Sequence, residues 1–163
     1  MCEPEWLPGL IPVNGVWEEV VEDLYAIFDR DLKKAHPTLD GLPVWWDRRI
    51  QAGDKYEEGF WHLVSRWDRS SGERLPDFRR AERLPWLVPM IVNCGHPSVK
   101  KWDDTGRSGK PRTYLWLADF DYVAVFEKVH RRGRMVAILV TAYHVDGETT
   151  RRKLKKSYER GRR

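Results

Sequence analysis

Three runs in the last third of the chain decide the fold: TYLWLAD at residues 113–119, YVAVFEKV at 122–129 and MVAILVTAY at 135–143. The runs are rich in Val, Tyr, Trp and Phe, and only a few residues separate each from the next. Apolar runs of this composition with such short connections predict an antiparallel meander. The third run ends in Thr141-Ala-Tyr-His144, which would place polar side chains at the end of an apolar strand.

Helices are predicted on both sides of this meander. Apolar residues between positions 16 and 32 recur at the i, i+3, i+4, i+7 spacing of an amphipathic helix, and Asn14 is placed to cap its start. A second helix is predicted over residues 77–93, where two prolines would break or kink it. A basic helix is predicted over residues 149–159, capped by Asp146.

The remaining segments are predicted to be short strands and loops. Residues 42–46 read as an edge strand, because Pro43 argues against a central one. Residues 60–64 fit a strand or a helical turn, and we favour the strand. Residues 95–112 read as one long loop rich in Gly and Lys.

These elements predict an α+β fold. N-terminal helices would pack on an antiparallel β-meander of about four strands, followed by the basic C-terminal helix. The length of 163 residues predicts one domain. We expect residues 1–14, with three prolines, to form an extended lead-in, and residues 15–163 to form the domain.

Composition narrows the class of protein. No run of apolar residues is long enough for a membrane span, and the N-terminus lacks the basic and apolar segments of a signal peptide. Cys2 and Cys94 are too few for a disulfide framework or a four-thiolate zinc site, so we expect a cytoplasmic protein with reduced thiols. The net charge of +4 combines an acidic front with a basic tail, which either attract each other or leave the tail free for a polyanion.

Several polar residues are candidates for chemistry. His62 lies within an apolar run and is either a hydrogen-bonded core histidine or a general acid or base. Arg80 and Arg83 are three residues apart, so on a helix they share a face, where they would clamp a phosphate or simply face solvent. Thr141 and Tyr143 point to one face of a strand, a face we expect to include Leu139 and Ala137 as well.

Motifs for other chemistries are absent from the sequence. No His-Glu-x-x-His, Cys-x-x-Cys or clustered carboxylates occur at metal-ligand spacing, and no Walker, dinucleotide or Gly-x-Ser-x-Gly pattern is present. We therefore expect neither a metal nor a cofactor. A set of His, Arg, Thr and Tyr suits RNA cleavage in which the ribose 2′-hydroxyl attacks the adjacent phosphate.

The chain resembles the barnase–EndoU–colicin–RelE-like nuclease superfamily, in particular its domains in phage and mobile-element proteins. The resemblance rests on YEEGFWH at residues 56–62, RAERLPW at 80–86, RTYLW at 112–116 and VTAY at 140–143. It implies a metal-independent ribonuclease, often a toxin or effector. An inhibitor or immunity protein is then a possible partner.

The expected site follows from these two lines of reasoning. The catalytic residues would be His62, Arg80, Thr141 and Tyr143. The substrate-binding residues would be Arg66, Arg83, Arg112 and Lys153, and the partner would be RNA. The sequence does not determine the oligomeric state. The alternative is a nucleic-acid-binding or partner-binding module without catalysis, which uses the basic tail and exposed Trp side chains.

Overall fold

The fold is built on a six-stranded sheet, in a computed structural model that describes residues 2–162. The sheet strands are β1 (Thr38–Leu39), β2 (Leu42–Trp45), β5 (Lys100–Asp104), β6 (Arg112–Leu117), β7 (Tyr122–Arg131) and β8 (Arg134–His144). They lie in the order β1-β2-β8-β7-β6-β5, and β2 runs parallel to β8 whereas the other neighbours are antiparallel. A separate antiparallel hairpin consists of β3 (Ser65–Asp68) and β4 (Glu73–Pro76).

Five α-helices complete the α+β fold. They are α1 (Trp17–Phe28), α2 (Glu58–Val64), α3 (Phe78–Glu82), α4 (Leu87–Val92) and α5 (Glu148–Gly161). A π-helical turn, Asp29–Lys34, continues α1, and 3₁₀ turns occupy Leu84–Trp86 and Ala118–Phe120.

The predicted strand runs of the last third are confirmed as β6, β7 and β8. The predicted sheet of about four strands was wrong, because β1 and β2 extend the sheet beyond β8. The predicted edge strand at residues 42–46 lies one position inside the edge, where the two-residue β1 covers it. The predicted loop at residues 95–112 contains β5, which pairs with β6 over five residues.

The helix predictions hold in outline and differ at the ends. The helix predicted over residues 16–32 is confirmed as α1 and its π-helical continuation, but its first turn follows Val16 and Asn14 does not cap it. The helix predicted over 77–93 is broken into α3, a 3₁₀ turn and α4. The C-terminal helix is confirmed, and Gly147 rather than Asp146 stands at its N-cap.

The predicted strand at residues 60–64 is instead helix α2. Phe60, Leu63 and Val64 lie at i, i+3 and i+4, and all three are fully buried. That spacing places them on one face of a helix, which packs into the main core. A strand would have turned Leu63 and Val64 to opposite faces.

The two faces of the sheet pack against different helices. One face carries Leu115, Ala124 and Ala142 into the main core, which also contains buried residues of α1, α2 and α4. The other face carries Trp116 and Val123 into a smaller cluster closed by α5. Because Tyr143 pairs with Val123, it lies on this second face.

A β-bulge at Val140 reverses the alternation along β8. Leu139 pairs with Phe126, whereas Thr141 pairs with the adjacent Val125, so Val140 is the extra residue. Leu139 therefore faces the main core while Thr141 faces the opposite side. The expectation that Thr141 and Tyr143 share a face is confirmed, and the expectation that Leu139 and Ala137 lie on that face was wrong.

Candidate functional site

An open pocket of about 520 Å³ lies where α2, the β3–β4 hairpin, α3 and β8 meet. Its walls contain an imidazole, three guanidinium groups, a Trp ring and two hydroxyl groups, contributed by His62, Ser65, Arg66, Trp67, Arg74, Arg80, Val140 and Thr141. Within residues 2–162 no carboxylate side chain lines this pocket. Four predicted site residues thus meet in one place, although they come from four different elements.

His62 is near the end of α2 and has a half-exposed imidazole. Burial lowers its pKa below the usual value, and the positive charge of Arg74 lowers it further. Glu58 and Asp47, together with hydrogen bonding to the Val140 backbone, act in the opposite direction. The net shift is downward, so the imidazole is mainly neutral near pH 7 and is able to accept a proton.

Glu58 connects His62 to the β3–β4 hairpin. It is buried, and its Oε2 atom accepts a hydrogen bond of 2.6 Å from Nη2 of Arg74. The same Oε2 atom lies 3.9 Å from Nε2 of His62, one helical turn further along α2. This charge pair holds the hairpin against α2 and places the Arg74 guanidinium in the pocket wall.

Arg80 lies on α3 and holds the end of α2 in place. Its Nη1 atom donates to the carbonyl oxygens of His62 at 2.8 Å and Ser65 at 3.1 Å. Its Nε atom lies 3.3 Å from Oδ2 of Asp77, the residue that also caps α3. Nη2 makes no hydrogen bond to the part of the chain that the structure describes, so one edge of the guanidinium is left for a ligand.

Thr141 reaches the pocket because of the bulge. With regular alternation it would share the buried face of Leu139, whereas the extra residue Val140 turns it toward Arg80 and His62. β-Bulges commonly redirect a side chain beside a functional site in this way. Thr141 forms no side-chain hydrogen bond to other residues between positions 2 and 162, so its hydroxyl can bond to a ligand.

Tyr143 lies next to the pocket without lining it. Its ring centroid is 5.9 Å from Cζ of Arg80, within the range of a cation–π contact. Burial raises the pKa of its phenol, which therefore stays protonated at neutral pH. The ring packs against the cluster under α5, so the structure gives Tyr143 a supporting position behind Arg80.

Of the four predicted substrate-binding residues, Arg66 on β3 lines the pocket and the other three lie elsewhere. Arg83 is buried, and its Nη1 atom donates to Glu82 at 2.6 Å and to the Arg79 carbonyl at 2.9 Å. Arg112 pairs with Glu127 across β6 and β7 at 3.1 Å. Lys153 is exposed on α5.

Arg74 and Trp67 line the pocket without having been predicted. Both belong to the β3–β4 hairpin, in which Trp67 pairs with Arg74. The only sequence signal is the alternation around the polar turn at residues 69–72, which is too short to reveal that the hairpin folds over α2.

Comparisons with known proteins add no relative: no family model, curated protein or solved structure matches the chain. Among residues 2–162, no helix is both long and apolar enough to cross a membrane. The same residues place no group of three or more His, Cys, Asp or Glu side chains where they would hold a metal ion.

Proposed function

We propose that this chain is an endoribonuclease that cleaves RNA by attack of the ribose 2′-hydroxyl on the adjacent phosphate, without a metal ion. The observation that carries the proposal is the convergence of His62, Arg66, Arg74, Arg80 and Thr141 on one open pocket. An imidazole beside several guanidinium groups supplies a proton acceptor and a charge complement for a phosphate that gains negative charge during the reaction.

His62 acts as the general base in this proposal. Its lowered pKa keeps the imidazole neutral near pH 7, as a base that accepts the 2′-hydroxyl proton must be. The attacking oxygen forms a bond to phosphorus while the bond from phosphorus to the 5′-oxygen breaks. The 5′-oxygen takes a proton from solvent water, and the products are a 2′,3′-cyclic phosphate and a 5′-hydroxyl. DNA lacks the attacking hydroxyl and is not a substrate.

The arginines and Thr141 bind the phosphate. Arg66 forms no ion pair with the residues that the structure describes, and Arg80 keeps one edge of its guanidinium available, so both present donors to an anion. The Thr141 hydroxyl, in the same pocket, donates to a phosphate oxygen. Arg74 is held by Glu58 and contributes mainly positive charge.

Cleavage in the presence of a chelator tests the proposal. Purified protein is incubated with labelled single-stranded RNA and excess EDTA, and the fragment ends are identified by mass spectrometry. We expect fragments that end in cyclic phosphate or 3′-phosphate. An oligonucleotide of the same sequence with 2′-deoxyribose throughout should remain uncut. Cleavage that requires a divalent ion, or that proceeds on the deoxy substrate, would rule out this mechanism.

Variants of His62 separate catalysis from folding. His62→Ala should slow cleavage by roughly 10²–10⁴-fold with little change in the melting temperature. His130→Ala is the matched control, since His130 is exposed on β7 outside the pocket. A folded His62→Gln protein with full activity would return His62 to a structural role.

The second candidate function is RNA binding without catalysis. It is favoured by Trp67, whose residue surface is 61% exposed at the rim of this arginine-rich pocket and which offers a stacking platform for a base. RNA that binds tightly to the wild-type protein and stays uncut under all conditions would support this function instead.

A further inference from the structure

A second groove, here named the Trp45 groove, lies at the other end of β8 and has a volume of about 430 Å³. Four cationic side chains and a histidine surround its central Trp ring, namely Lys33, His36, Arg48, Arg132 and Arg134 around Trp45. No carboxylate lines it within residues 2–162. The pocket described above does not use any of these side chains.

Two of the three arginines of this groove contact aromatic rings in place of carboxylates. Cζ of Arg48 lies 5.6 Å from the ring centroid of Trp45 and 4.6 Å from that of Trp46, and Cζ of Arg134 lies 5.5 Å from Trp45. Within residues 2–162, no ion pair involves Arg48, Arg132 or Arg134, whereas the neighbouring Arg49 is paired with Asp47. Their positive charge is therefore not neutralised and attracts a polyanion.

The local backbone fixes the position of these side chains. Arg132 and Gly133 form the two-residue turn between β7 and β8, and both have positive φ, at 49° and 79°. A two-residue turn with both φ values positive matches the twist of a hairpin, so it presents Arg132 and starts β8 at Arg134. Arg134 is thus attached to a rigid strand rather than to a mobile loop.

The Trp45 groove and the catalytic pocket are connected by β8. Trp45 pairs with Ile138, and Thr141 of the pocket lies three residues further along the same strand. At the usual rise of a strand this separation is roughly 10 Å. Glu127 pairs with Ile138, whereas Val125 pairs with Thr141, so Trp45 and Thr141 lie on the same face of the sheet.

We propose that the Trp45 groove is a second binding site for single-stranded RNA, which holds a flanking segment of the strand whose scissile phosphate lies in the pocket. Arg48 and Arg134 contact phosphates, and the Trp45 ring with its two guanidinium neighbours gives the bases a stacking surface. This inference rests on the proposed RNA substrate. The Trp45 ring favours nucleic acid over an acidic peptide, because an acidic peptide would use only the cationic side chains.

Binding of uncleavable RNA tests the site independently of catalysis. The probe is a fluorescein-labelled 2′-O-methyl RNA, used as a dinucleotide and as an oligonucleotide of about eight residues, a size within the range of single-strand binding sites. Fluorescence anisotropy gives Kd at several salt concentrations. The variants are Arg48→Ala/Arg134→Ala and Trp45→Phe. The control is Arg107→Ala/Lys110→Ala, which removes the same charge from an exposed loop.

We expect the double groove variant to bind the longer RNA at least 10-fold more weakly and the dinucleotide unchanged. Loss of two phosphate contacts should reduce the slope of log Kd against log salt by about 1.4. Trp45→Phe retains an aromatic ring and should lose less than fivefold. The control should stay within twofold of wild type.

An equal loss of RNA affinity in the groove and control variants would mean that the groove contributes only general positive charge, and would overturn the proposal. Tighter binding of poly-glutamate than of the longer RNA would also overturn it. Groove-dependent RNA binding by a protein that cuts no RNA would uphold the groove and refute the proposed catalytic function, so the two failures are distinguishable.

Discussion

Substitution of Glu58 by Gln should lower the pKa of His62. The carboxylate lies 3.9 Å from Nε2 of His62 and stabilises the imidazolium form. At that distance the interaction of two unit charges is about 1 kcal/mol in water and about 4 kcal/mol near a protein surface.

Solvent screening selects the lower part of this range. The His62 side chain is 41% exposed, and water strongly reduces interactions of exposed charges, so we expect the pKa to decrease through the loss of an interaction of about 1 kcal/mol. The variant also leaves Arg74 without its carboxylate partner, and the charge of Arg74 lowers the pKa of His62 as well. The charge of Arg74 is the same in the variant, so the loss of the Glu58 carboxylate sets the sign of the change.

Histidine NMR measures this pKa directly. The resonances of His62 are assigned by comparison with His62→Gln, and each protein is titrated between pH 4 and 8. Glu73→Gln is the matched control, because Glu73 is exposed and has no ion-pair partner within residues 2–162. In cleavage assays, the acid limb of kcat/KM against pH should move down by the same amount as the pKa. An unchanged or raised pKa would refute the coupling between Glu58 and His62.

Four further substitutions test the site and its support. Arg80→Ala removes two charged hydrogen bonds to carbonyl oxygens, so it should lower the free energy of unfolding by about 3 kcal/mol and Tm by roughly 6–12 °C. Arg66→Ala should instead lower cleavage and leave Tm unchanged. Equal melting curves for the two variants would contradict the role of Arg80 in holding the end of α2. Thr141→Val should preserve the fold and slow cleavage on the order of 10²-fold, and full activity in that variant would remove the hydroxyl from the site. Gly59→Ala brings a Cβ within 2.8 Å of the Trp46 side chain and should cost about 1–3 kcal/mol in chemical denaturation, so a neutral result would contradict the tight packing of α2.

The elements with the clearest pattern were predictable from the sequence. The runs that became β6, β7 and β8 combine β-branched and aromatic residues with short connections, and α1 has a helical period over several turns. The Phe60–Val64 run was misassigned because its four apolar residues fit either period, and only the burial of three of them on one face distinguishes the helix from a strand. Strand β5 has a single apolar residue, Trp102, so its sequence resembles a loop.

The site was predictable in its residue types more than in its geometry. His62, Arg80 and Thr141 do line one pocket, but the sequence did not show that Arg80 binds backbone carbonyls as well. Arg83 is three residues from Arg80 and was expected to act with it; burial beside Glu82 and Trp86 directs it away from the pocket. Such differences depend on tertiary contacts that spacing along the chain does not encode.

The Val140 bulge changes which positions of β8 must be hydrophobic. Before it, Ala137 and Leu139 fill the main core, and after it Ala142 takes over that task. Saturation mutagenesis should therefore reveal a hydrophobic requirement at odd positions that switches to an even position beyond residue 140. Deleting Val140 would remove the extra residue and leave Leu139, Thr141 and Ala142 on the faces they now occupy, because these residues would then alternate regularly.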